Sequence, residues 1–195
     1  MKIIGFNGSP RKHGNTSTIM AEMLRGAASE GAETKFIHLP SHHIENCIGC
    51  ERCRNDKTCT SFFDGMHLLY PLIEESEGII LGSPTYNYDM TPWMKAFIDR
   101  FYPFFDFGEV RPGPYTSRLA NRGKKALVFG VCEQVNPEEM NHNITCMRDA
   151  IKVIGYEVFD MLAFPGHFQA NSVKSNVADL HRAFESGALF ARSII

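Results

Sequence analysis

The feature that most limits how this 195-residue chain can fold is the spacing of its short apolar runs, which recur at 2–6, 34–39, 78–82, 125–131 and 156–163. Consecutive rather than alternating apolar residues predict strands buried on both faces. Between the runs lie segments of helical spacing. Ile19, Met20, Met23 and Leu24 share one stripe behind the cap-type residues Asn15, Thr16 and Ser17. Met66, Leu69, Leu72 and Ile73 mark a helix over 66–75, with Pro71 inside it. Thr91-Pro92 opens another, which carries Met94, Phe97, Ile98 and Phe101 inward. Further helices are predicted over 138–154 and 171–195. Residues 108–123, with three Gly and two Pro, read as a loop.

Five strands, each followed by a helix, predict an α/β fold: a doubly wound parallel sheet with helices on both faces. Of the two common orders, dinucleotide-binding and flavodoxin-like, five strands in under 200 residues favour the flavodoxin-like one. Ligands in either bind beyond the carboxyl ends of the strands. One domain spanning 1–195 is expected, with a Cys-rich excursion after strand 2, at 41–64, where periodicity is lost.

The balance of charge excludes one partner class. Lys and Arg number 20 against 22 Asp and Glu, with no basic stripe, so nucleic acid is not expected. No apolar run is long enough to span a membrane, and the one at the N-terminus is too short for a signal peptide. A cytoplasmic protein with reduced thiols is expected. Of six cysteines, four fall between Cys47 and Cys59. In a reducing compartment such clustering points to metal or redox chemistry rather than disulfides.

The loop after strand 1 reads Gly8-Ser9-Pro10-Arg11-Lys12-His13-Gly14-Asn15-Thr16-Ser17. It fits neither the Rossmann nor the P-loop fingerprint. Small residues and hydroxyls leading into a helix N-terminus make a seat for a phosphate, with Arg11 adding charge; an ordinary capped βα loop is the alternative. The loop Ser83-Pro84-Thr85-Tyr86-Asn87-Tyr88 after strand 3 falls on the same sheet edge, where its backbone and tyrosines can meet a polar ring system. Cys132 to Asn136, after strand 4, completes the rim. Cys132 is placed either at that ring's edge or in the core.

Together, Gly8-Ser9-Pro10-Arg11 with Asn15-Thr16, Gly82-Ser83-Pro84-Thr85-Tyr86, and Met94-Lys95-Ala96-Phe97-Ile98-Asp99-Arg100 resemble the flavodoxin-like NAD(P)H-dependent FMN reductase family. The resemblance is firmest up to about residue 107. It implies FMN, with its phosphate near Ser9, Arg11, Asn15, Thr16 and Ser17. Pro84, Thr85, Tyr86 and neighbouring groups such as Asn87 and Cys132 would hold the isoalloxazine ring. No acid–base pair stands out, as expected where the cofactor carries the chemistry.

Cys47, Cys50, Cys53 and Cys59 are spaced C-x2-C-x2-C-x5-C, with Gly49 allowing a tight turn. Structural zinc favours two knuckles separated by a dozen or more residues. Successive spacings of three instead suggest the ferredoxin run. Beside a flavin motif they resemble the iron–sulfur flavoproteins, a branch of the same family, which implies a [4Fe–4S] cluster on these four thiolates. A loop without metal, or a zinc site aided by His42 and His43, stays open.

The expected function is FMN-dependent electron transfer between the cluster, the flavin and an external partner. NAD(P)H or a redox protein would be the donor, and a small molecule or protein the acceptor. A cluster-free FMN or quinone reductase is the first alternative, and a flavin carrier with a zinc knuckle the second. Phe101, Tyr102, Phe104, Phe105 and Phe107 exceed what one helix face needs and suggest a subunit interface, hence a homo-oligomer, with a wall over the flavin or simple core as the alternatives.

Overall fold

Strand β1 (Lys2–Asn7) is an interior strand of a parallel sheet because its apolar residues have neighbours on both faces: from Ile3 to Asn7 it is fully buried. A computed structural model describes residues 1–194. The sheet order is β2-β1-β3-β6-β7, with β2 at Glu33–His38, β3 at Gly78–Pro84, β6 at Lys125–Val131 and β7 at Glu157–Phe164. Every pairing in it is parallel. This is the flavodoxin-like order expected from five strands.

Helices cover both faces. On one, α1 (Asn15–Ser29) and α6 (Val177–Ile194) pack so closely that a Cβ on Gly26 would lie 2.0 Å from Phe184 O, and one on Gly187 1.9 Å from Met23 O. On the other, α3 (Met66–Glu75), α4 (Pro92–Asp99) and α5 (Asn141–Val153) enclose the larger core, including Phe6 and Phe97, whose rings stack at 4.7 Å. The one-turn α2 (Cys53–Asp56) sits inside the cysteine excursion. Among the described residues no helix is long and apolar enough to cross a membrane.

Several local expectations are corrected. Gly14, not Asn15, Thr16 or Ser17, is the N-cap of α1. Residues 108–123 are not all loop: β5 (Tyr115–Ser117) pairs antiparallel with β4 (Phe105–Phe107). Pairing across an intervening turn leaves no signal in so short a segment. The helix expected from 138 starts at Asn141 after a 3-10 turn over Pro137–Met140. The last helix starts at Val177, after a 3-10 turn over Ser172–Ser175, and its expected final residue, 195, lies outside the described residues.

The aromatic run is used within the chain. Phe101 and Phe104 are core residues, while Tyr102 stacks on Phe107 at 4.8 Å and Phe105 meets Tyr115 edge-on at 5.4 Å. These rings fasten the β4–β5 hairpin beside the cysteine excursion.

Candidate functional site

Beyond the carboxyl ends of the strands, loops from β1, β3, β6 and β7 enclose a cleft of about 240 Å³. Ser9, Arg11, Asn15 and Thr16 line it from one side and Pro84, Thr85 and Tyr86 from another, with Cys132 between. An adjoining cleft of about 280 Å³ shares Thr85, Cys132 and Glu133 and adds Asn87 and Tyr88. Nine of the ten residues expected to hold a flavin thus line two contiguous hollows. The tenth, Ser17, lines neither; its hydroxyl accepts from Asn7 Nδ2 at 2.7 Å and donates to Arg11 O at 3.1 Å, shaping the loop.

The first loop is built for close approach to a ligand. Asn7 Oδ1 accepts the Ser9 N–H at 2.9 Å, and Ser9 Oγ accepts the Arg11 N–H at 3.2 Å. A Cβ on Gly8 would stand 2.8 Å from Met94 Cβ. As N-cap, Gly14 offers α1 no side-chain acceptor, so the first-turn N–H groups, which have no intrahelical partner, are left for an anion. A phosphate fits this seat. The Asn15 side chain is otherwise engaged: its amide donates to Gln169 O at 2.9 Å and its Oδ1 accepts the Val173 N–H at 3.2 Å. What Asn15 leaves open toward the cleft is its backbone N–H, in the first turn of α1.

His38 supports the loop from outside, with Nε2 2.8 Å from Ser9 O; burial holds its pKa below the usual histidine value. On the ring side, Tyr86 and Asp89 exchange backbone hydrogen bonds of 2.8 and 3.1 Å around Asn87 and Tyr88, both at positive φ (47° and 68°). Positive φ is uncommon for a tyrosine, and such strain collects at ligand sites. Tyr86, Tyr88 and Phe168 stay exposed. Cys132 is buried and its thiol donates to Gln134 O at 3.2 Å; burial raises its pKa, keeping it a neutral thiol.

His167, which no sequence motif singles out, lines the first cleft together with Phe168. Its N–H donates to Cys132 O at 2.8 Å, and its Nε2 lies 2.7 Å from Asp179 Oδ2. The available signal was its place just past the apolar run at 156–163, which forms β7, on the edge where the other loops gather.

The four clustered cysteines line one separate cavity of about 90 Å³, with Tyr70, Arg100, Tyr102 and Pro103 among the other walls. It shares no lining residue with the two clefts. Helix α4 connects the two regions: Thr91 caps its start beside the flavin-type loops, and Asp99 and Arg100 at its end line the cysteine cavity.

The excursion is held at its neck and along its length. Gly65 N–H donates to His43 O at 2.7 Å, closing the neck. Asp64 accepts Arg100 Nη1 at 2.7 Å and Nη2 at 3.2 Å, and Arg100 Nη1 also reaches Glu45 O at 2.8 Å. Gly49, at φ 66°, makes the turn its position suggested. Glu51 accepts from Tyr102 Oη at 3.0 Å and pairs with Arg111, while Lys57 pairs with Asp106 of β4.

All four thiols are free. Burial, then the neighbouring Cys59, Cys47 and Cys50, pushes the Cys53 pKa up to about 11, while the Ser61 hydroxyl, 2.9 Å away, holds that of Cys50 below the ordinary thiol value. Among the described residues no three His, Cys, Asp or Glu side chains converge to hold a single ion. Tetrahedral zinc takes its ligands around one ion, whereas a four-iron cluster gives each thiolate its own iron.

The profile of the NADPH-dependent FMN reductase family matches residues 1–138. An iron-sulfur flavoprotein of Methanocaldococcus jannaschii is 40% identical over 103 residues, 53% of this chain and 53% of that protein. One from Archaeoglobus fulgidus is 40% identical over 104 residues, 53% of this chain and 47% of its own. The chain thus spans about half the length of the curated relatives it matches. Among solved structures, a flavone reductase superposes with a TM-score of 0.74 at 23% identity, covering 100% of this chain and 63% of that one, which shows the fold.

Proposed function

The chain belongs to the NADPH-dependent FMN reductase family, and on that premise we propose that it is an electron-transfer flavoprotein, with FMN in the double cleft and a [4Fe–4S] cluster on Cys47, Cys50, Cys53 and Cys59. The observation that carries the reading is the placement of these two sites at the two ends of α4. The names of the relatives support the cluster, and the shared cavity of the four thiols gives it a physical basis.

Bound FMN supplies hydride and one-electron chemistry. The chain's own groups bind and orient. The open N–H groups of the first turn of α1 and the Arg11 guanidinium hold the phosphate, and Ser9 and Thr16 flank it. Pro84, Thr85, Tyr86 and the strained Asn87-Tyr88 turn hold the ring, with the Cys132 thiol kept neutral beside it. NAD(P)H or a redox protein is the donor, and a small molecule or protein the acceptor.

The test is absorption spectroscopy and iron and sulfide analysis of protein purified without oxygen. Flavin bands with a broad visible shoulder that bleaches on reduction, and about four irons per chain as the cluster type requires, are expected. Flavin bands with neither iron nor acid-labile sulfide would leave a cluster-free reductase. Stoichiometric zinc would replace the cluster with a knuckle.

A further inference from the structure

Arg100 is a charge buried where charge is costly: its side chain is 2% exposed, at the end of α4. Its two terminal nitrogens are engaged by Asp64 and Glu45 O. Its Nε–H is buried with no partner, and an unsatisfied buried donor is destabilising. Arg100 lines the cavity of the four cysteines, whereas its counter-ion Asp64 does not. The ion pair therefore turns its positive end toward the thiols. Of the other polar groups on that wall, Tyr70 Oη donates to Arg100 O at 3.2 Å, Asp99 is paired with Lys95 at 2.6 Å and Glu51 with Arg111, while Ser61 Oγ lies 2.9 Å from Cys50 Sγ and Arg52 adds a second positive charge beside Cys50.

We propose that Arg100 is the charge-tuning residue of the four-cysteine site, donating its Nε–H to sulfur there and favouring the reduced cluster. This rests on the cluster reading above. Four thiolates around an oxidised [4Fe–4S] core make a dianion, and uptake of one electron, with no proton, makes a trianion. A nearby positive charge and a hydrogen bond to sulfur both stabilise the more negative state and raise the potential.

The experiment is a potentiometric titration of the loaded protein with dithionite, followed by the paramagnetic signal of the reduced cluster. Arg100→Gln and Asp64→Asn break the same ion pair but change the local charge in opposite senses. The midpoint potential is expected to fall in Arg100→Gln and rise in Asp64→Asn. Arg100→Lys, which keeps the charge and loses Nε, should lie between wild type and Arg100→Gln. Shifts of the same sign in both pair-breaking variants, or none, overturn the proposal and leave Arg100 a mechanical latch. If Arg100→Gln does not load iron, Arg100→Lys decides: a potential below wild type supports the proposal, and an equal one overturns it. Wild-type protein without iron and sulfide overturns the cluster reading and this inference together, whereas iron with the wrong shifts overturns the inference alone.

Discussion

Thr91 Oγ1 donates to Gly8 O at 2.7 Å, joining the loop after β3 to the loop after β1 across 83 residues of sequence. The same oxygen accepts the Met94 N–H at the start of α4, and the Thr91 N–H is held by Ser83 Oγ at 3.1 Å. Gly8 N–H in turn reaches Gly82 O at 2.8 Å. The two walls of the flavin-type cleft are therefore one hydrogen-bonded unit.

Thr91→Val keeps the shape and removes both hydroxyl bonds. Loss of the cap and of a buried bond should cost about 1–2 kcal/mol of stability, with weaker FMN binding. Denaturant unfolding and flavin-fluorescence titration measure the two effects. Unchanged FMN affinity in a destabilised variant would mean that the loops do not act together.

Cys50→Ser should abolish iron loading and leave FMN bound, because the cysteine cavity shares no lining residue with the clefts. Cys146→Ser should change neither, since Cys146 packs against the core from α5. Iron analysis and the flavin spectrum of the two variants check this. Loss of FMN from Cys50→Ser would show that the sites are coupled.

His38 provides a pH dependence. Burial first, then the charges of Lys12, His42 and His13, outweighs its bond to Ser9 O and lowers its folded pKa. The unfolded chain then binds the proton more readily, near the ordinary value of about 6.5. The contribution of His38 to stability is full above that value and is lost as pH falls through the lower folded pKa. Unfolding free energies of wild type and His38→Gln should therefore diverge less at pH 5 than at pH 8. A difference independent of pH would sink the assignment.

Gly187→Ala tests the α1–α6 contact. Alanine favours a helix, but here its Cβ would sit 1.9 Å from Met23 O, a backbone atom that has no rotamer to give. Overpacking of this kind costs about 1–3 kcal/mol, which outweighs the propensity gain of about 1 kcal/mol. A lowered Tm is expected, and an unchanged or higher one would mean that the helices separate freely.

The parts of this protein that sequence determined are those set by neighbours along the chain. Consecutive apolar residues made β1, β3 and β6 strands, the stripe from Ile19 to Leu24 oriented α1, and spacings of three with Gly49 brought the cysteines to one cavity. The loops after β1, β3 and β6 were legible as a site because strand ends in such a sheet share an edge. Tertiary structure decided what depends on partners far along the chain. Arg100 is buried because Asp64, 36 residues earlier, and Glu45 O receive its guanidinium. His167 enters the cleft because Cys132 O and Asp179 fix it, and Ser17 leaves the cleft because Asn7 and Arg11 O claim its hydroxyl. The β4–β5 hairpin exists because Phe105 and Phe107 find Tyr115 across a turn. Periodicity reports which face of an element is apolar; it carries no record of which distant group satisfies a buried charge or a polar side chain, and those pairings shaped both sites.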